Sequence, residues 1–139
     1  MIAIDTNVFI YSIDRNDLVK RAKARSLLRQ LRLQSENVTI PWQVLAEFLR
    51  FLRSLQDQKR IQRGELERIF NAYRRLFPVA LPTPFVFDQA LSLTSRYSLS
   101  HWDSMLLGAC LEVKAETLYT EDMGAPTMID GISLIKPFA

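Results

Sequence analysis

Short apolar runs alternate with longer segments of helical period along almost the whole chain, and this alternation restricts the possible folds more than any other feature. Ile2 to Ile4 is a short apolar run that ends at Asp5. A turn or short helix follows, and Asn16 and Asp17 then precede a long 3.6-period segment, Leu18 to Leu33, with apolar positions at Leu27, Leu28 and Leu31. Val38 to Ile40 is a second strand candidate, and Pro41 suits the boundary before an amphipathic helix over Trp42 to Gln58. Gly64 interrupts the pattern ahead of another helix, roughly Glu65 to Leu76.

Pro78, Pro82 and Pro84 exclude helix interior between Phe77 and Phe87 and permit a short strand at Val79 to Leu81. Helices over Asp88 to Tyr97 and Trp102 to Lys114 are expected next, then strands at Thr117 to Thr120 and Ile132 to Ile135. Alternating strands and helices require right-handed crossovers and a parallel sheet covered on both faces. With 139 residues, 48% of them hydrophobic, the chain suits a single α/β domain over 1–139.

No apolar run reaches the roughly 18 residues of a membrane span, and no signal-peptide pattern precedes the first strand. A cytoplasmic protein is therefore expected, with no membrane association. The lone Cys110 sits in the apolar run Met105 to Leu111, so core filling is expected, and neither a disulfide nor a cysteine metal site can form within one chain. The net charge of +3 hides a division: residues 15–76 carry 15 Lys and Arg against 6 Asp and Glu, whereas residues 77–139 carry 3 against 7. One part of the surface would attract a polyanion, and the other would repel it unless cations intervened.

Among the 15 acidic residues, four lie in apolar sequence or at strand ends. Asp5 directly follows Ile2-Ala3-Ile4, which places it at the C-terminal edge of a first, central strand, where open parallel sheets collect ligands. Its alternative role is an Asx turn or helix N-cap. Glu47 borders the apolar stripe of Phe48, Leu52 and Leu55, from which it could also extend into water. Asp103 opens a helix that is apolar on nearly all sides, although Ser100-His101-Trp102-Asp103 also fits a capping box. Asp122 follows the strand at Thr117 to Thr120, with Glu121 as a competing candidate beside it.

A parallel sheet directs these strand ends and helix starts toward one rim, where four carboxylates repel one another unless cations are held between them. Mg²⁺ or Mn²⁺ suits such an all-oxygen site, and a retained water can supply the nucleophile for phosphodiester hydrolysis.

Asp5-Thr6-Asn7, Gln43-Val44-Leu45-Ala46-Glu47-Phe48, His101-Trp102-Asp103-Ser104-Met105-Leu106-Leu107 and Thr120-Glu121-Asp122-Met123 stand in the order and spacing of one family. The chain resembles the PIN domain, in particular VapC-like toxins of toxin-antitoxin systems. The resemblance implies a three-layer α/β/α sandwich with a parallel sheet of about five strands in the order 3-2-1-4-5. It also implies Mg²⁺- or Mn²⁺-dependent endonucleolytic cleavage of RNA, a cognate antitoxin, and a homodimer. Asp5, Glu47, Asp103 and Asp122 correspond to the family's metal-binding carboxylates, with Asp5, Asp103 and Asp122 as the principal cage and Glu47 either completing it or holding a water. Thr6 or Asn7 and Thr120 match positions that orient those acids. The short Gly124-Ala125-Pro126 turn and Lys136 depart from the pattern and leave substrate choice open.

In that setting Arg15, Arg21, Arg50 and Arg53, with Lys20, Arg25, Lys59 and Arg60, become candidates for contacting an RNA backbone. His101 is a candidate for substrate or proton-transfer duty, against a packing role beside Trp102. Trp42, Phe48 and Trp102 could stack on unpaired bases, although each suits the core better. Three other readings stand beside the toxin: a non-catalytic PIN-like module that binds RNA or protein, an RNA-processing nuclease, and a phosphatase with an aspartate nucleophile. The last needs a second acid at position 7, where this chain has Asn7.

Overall fold

The computed structural model describes every residue except Asp122, Gly124 and Ala125. Strand β1 (Ile2–Ile4) passes at once into α1 (Thr6–Ile13), and α2 (Leu18–Arg32) follows, capped by Asp17, which accepts from the Lys20 amide at 3.0 Å. Strand β2 (Val38–Pro41) leads into α3 (Trp42–Asp57), and α4 (Arg63–Arg74) returns to β3 (Val79–Ala80). The remaining elements are α5 (Phe85–Arg96), α6 (His101–Glu112), β4 (Thr117–Tyr119), β5 (Met128–Ile129) and β6 (Ile132–Ile135).

The sheet runs β3-β2-β1-β4-β6-β5, with all neighbours parallel except the antiparallel β5–β6 pair. The expected 3-2-1-4-5 order holds for the five parallel strands, and the sequence reading omitted β5. Met128 to Ile132 carries an Asp-Gly hairpin signal: Asp130 and Gly131 both have positive φ, 48° and 86°, as a two-residue type I′ turn demands. Gly64 is a second correction. It lies inside the first turn of α4, which starts earlier under a Gln62–Glu65 capping box. The break after α3 falls instead at Lys59, which takes φ 58° without the help of a glycine.

The chain leaves β1 for β2 and β3 on one side, then crosses back through α5 and α6 to β4 on the other. Right-handed crossovers in opposite directions put α1 to α4 on one face and α5 with α6 on the other, matching the packing of α1 on α2 and α3, and of α5 on α6. The adjacent C-terminal ends of β1 and β4 form the switch point where open α/β sheets bind ligands. Beneath it, Phe9, Phe48 and Tyr73 pack with ring centroids 4.9–5.4 Å apart, and the Tyr73 hydroxyl lies 2.6 Å from that of Ser12. Fully burying Phe48 contributes about 1.5–3 kcal/mol. Among the described residues no helix is long and apolar enough to cross a membrane.

Candidate active site at the switch point of the sheet

Asp5 leaves the buried strand β1 and caps α1, so its backbone is fixed by an element on either side. Its amide donates to the Tyr119 carbonyl at 2.9 Å, which joins it to the end of β4. One carboxylate oxygen, Oδ1, accepts from the Thr6 amide at 2.7 Å, and the other, Oδ2, accepts from the Thr120 hydroxyl at 2.8 Å. The helix cap foreseen as an alternative role is therefore real, and it coexists with placement at the rim.

Glu47 reaches the same rim from the middle of α3. Its Oε2 accepts from the Thr6 hydroxyl at 2.7 Å, and its Oε1 accepts from the Gln43 amide nitrogen at 2.9 Å. Gln43 Nε2 also donates to the Trp102 carbonyl at 3.1 Å, tying α3 to the start of α6. Gln43 was missed at the sequence level, although its position four residues before Glu47 puts both on one helical face.

Asp103 stands in the first turn of α6. Its amide donates to the Ser100 hydroxyl at 3.2 Å, but the return bond of a capping box is absent among the described residues. The Asp103 carboxylate thus faces the cleft with no hydrogen-bond donor among the described residues. Asp122 lies outside the described residues. Its neighbour Glu121 pairs with Lys20 of α2, whose ammonium lies over Tyr11 at 4.7 Å and Phe138 at 5.8 Å.

Asp5, Glu47 and Asp103 line one cleft of about 760 Å³ with Thr6, Asn7, Thr120 and Arg50. No side-chain hydrogen bond of Asn7 is found among the described residues, so Thr6 and Thr120 do the orienting. Burial holds the Asp5 carboxyl above the usual carboxylate range, and the charges of Glu47 and Asp103 push the same way, against the hydrogen bonds from Thr120 and Thr6. None of the ion pairs among the described residues involves these three acids. Asp5 and Glu47 are held by neutral hydroxyl, amide and backbone donors, and no arginine or lysine pairs with any of the three.

Oxygen-only, anionic and unpaired by protein cations, this donor set fits a hard divalent ion in its chemistry. Among the described residues alone, however, no group of three such side chains gathers closely enough to hold one.

The basic candidates divide. Arg50 lines the cleft, whereas Arg15, Arg21 and Arg53 do not: Arg15 is exposed after α1, Arg53 is exposed on α3, and Arg21 lines a separate groove on α2 with Arg25. His101 is exposed and outside the cleft lining, its ring packed edge-on to Trp102 at 4.5 Å, so the packing role describes its position. Of the three aromatic candidates only Phe48 is core. Trp42 and Trp102 are 53% and 61% exposed and line the cleft, contrary to the core role expected of them.

The sequence model of the PIN domain matches residues 2–126. The chain belongs to the PIN domain family. Solved PIN-like structures reinforce the assignment of fold. Mycobacterium tuberculosis VapC20, described as a sarcin-ricin loop cleaving toxin, superposes with a TM-score of 0.62 at 17% identity over 88% of this chain and 90% of its own. A toxin-antitoxin complex from Klebsiella pneumoniae gives a TM-score of 0.67 at 16% identity over 99% and 98%. No curated protein matches by sequence. At these identities the likeness establishes a shared PIN fold, within which Asp5 and Thr120 flank the β1–β4 switch point.

Proposed function

We propose that this PIN domain, spanning 1–139, is a Mg²⁺- or Mn²⁺-dependent endoribonuclease that hydrolyses RNA phosphodiester bonds and serves as the toxin of a toxin-antitoxin pair. The observation that carries the reading is the convergence of Asp5, Glu47 and Asp103 on one cleft without a protein cation between them. Asp122, grouped with these acids on sequence grounds, completes the proposed set. The toxin assignment draws further support from the fold shared with VapC20 and with the Klebsiella toxin-antitoxin complex. An antitoxin partner, a homodimer and a cytoplasmic location belong to the same proposal.

In this mechanism Asp5, Glu47, Asp103 and Asp122 would hold the divalent ion, which when bound would offset carboxylate repulsion and supply positive charge for the phosphate oxygens in the transition state. Thr120 and the Thr6 amide hold the two Asp5 oxygens in place, which leaves Asp5 little rotational freedom when substrate arrives. Thr6 and Gln43 do the same for Glu47, which would either complete the cage or hold a water. Arg50, in the lining of the cleft, supplies positive charge for the RNA backbone.

The test is cleavage of a mixed single-stranded RNA pool by purified protein with Mg²⁺, with Mn²⁺ or with EDTA, beside a folded Asp5→Asn control. Metal-dependent cutting that vanishes in the control is expected. RNA bound but uncut with either metal would favour the non-catalytic binding module.

A further inference from the structure

We infer that Trp42 and Trp102 form a base-stacking platform that selects RNA with unpaired nucleotides next to the acidic rim. The inference deepens the ribonuclease reading and rests on it. These are the only two tryptophans of the chain, and both open into the cleft that holds Asp5, Glu47 and Asp103. Trp42 is 53% exposed and Trp102 61% exposed, so neither indole is needed to fill the core. Leaving two large aromatic surfaces in water forgoes burial energy, and in a cleft it marks a binding face.

The platform is joined mechanically to the acids. Gln43 bonds both the Glu47 carboxylate and the Trp102 carbonyl, at 2.9 and 3.1 Å, so the first turn of α6 and Glu47 share one hydrogen-bond donor. His101 packs edge-on to the Trp102 indole at 4.5 Å. Trp42, Gln43, Glu47 and Arg50 all rise from α3, bringing an aromatic face, an acid and a cation together on one helix.

An unpaired nucleotide matches that composition, with its base for the indoles and its phosphate for Arg50. Bases in a duplex have both faces covered by their neighbours and cannot reach an indole without being unstacked. Stacking tolerates sequence, so the platform selects for strandedness first and base identity second.

Because no other tryptophan contributes, intrinsic fluorescence reports on this cleft directly. The experiment titrates the folded Asp5→Asn protein in Mg²⁺, where binding is read with cleavage suppressed, with a mixed-sequence single-stranded RNA about eight nucleotides long. The same RNA in a duplex and an abasic ribose-phosphate chain of equal length are compared. Quenching by the single strand alone is expected. Trp42→Ala and Trp102→Ala should each weaken binding about tenfold with unchanged melting temperature, and the phenylalanine variants should largely restore it.

Equal quenching by the abasic chain, or alanine variants that bind like the parent, would overturn the inference. Quenching by an apolar helical peptide with none by the RNA would do so too, and would assign the cleft to a protein partner. Metal-dependent cleavage by the parent, measured separately, tests the nuclease reading, so the two failures are distinguishable.

Discussion

Lys20 and Glu121, 101 residues apart in sequence, form an ion pair that ties helix α2 to the end of strand β4, with the ammonium enclosed by Tyr11 and Phe138. The pair occupies the one acid that could compete with Asp122. Lys20→Met would release the Glu121 carboxylate beside the rim and is expected to raise the Mn²⁺ concentration needed for half-maximal cleavage severalfold. Lys20→Arg should restore most of the loss, whereas an unchanged metal titration in Lys20→Met would separate the pair from the site.

Asp5 is expected to show opposite effects on stability and activity. Its carboxylate is held at the rim beside two other acids with no protein cation, so Asp5→Asn removes repulsion and should melt at or above the parent temperature in EDTA. Cleavage should nonetheless fall by about two orders of magnitude or more. Thr120→Ala, which deletes only the hydroxyl bonded to Asp5, should cost about 10–100-fold in metal affinity or activity. Calorimetry and a metal-titrated cleavage assay check both variants.

Gly108 sits where α6 crosses α5, and a Cβ there would lie 2.8 Å from the Val86 carbonyl oxygen and 3.2 Å from its Cγ1. Helix propensity favours alanine over glycine by about 1 kcal/mol, but the backbone clash outweighs it. Gly108→Ala is expected to destabilise by about 1–3 kcal/mol, read as a lower urea midpoint with an unchanged slope.

Arg96 donates to both oxygens of Asp130, at 2.7 and 2.6 Å, and anchors the β5–β6 turn to α5. The guanidinium holds the Asp130 carboxyl below its ordinary value of 3.8. A depressed folded value means that the stabilisation is present above the unfolded value and is lost as pH falls through the folded one. Asp130→Asn, which still tolerates positive φ, should therefore melt below the parent at pH 7, with the gap closing under pH 3.8. The Arg96 partner is 44% exposed, so the difference should be modest and weaken in salt.

Much of the architecture was legible because periodicity reports burial directly. Ile2–Ile4, Val38–Pro41 and Thr117–Tyr119 are short and apolar because helices cover both faces of the sheet. Strand β5 was lost because two residues are too few for a period, although Asp130-Gly131 announced the turn. The start of α4 at Arg63 escaped because glycine is costly within a helix, and here a capping box overrides that cost.

At the rim, sequence order alone put Asp5 beyond one strand end, Thr120 at another and Asp103 at a helix start, because the chain direction of a parallel sheet sends those termini to one edge. Which donors hold the acids was decided by the fold: Thr6 with Glu47 spans 41 residues and Thr120 with Asp5 spans 115, and no local pattern encodes either pairing. The exposure of Trp42 and Trp102 was likewise a tertiary outcome. An apolar residue beginning a helix reads as core from its neighbours, and only the packing of the elements leaves both indoles exposed in the lining of an open cleft.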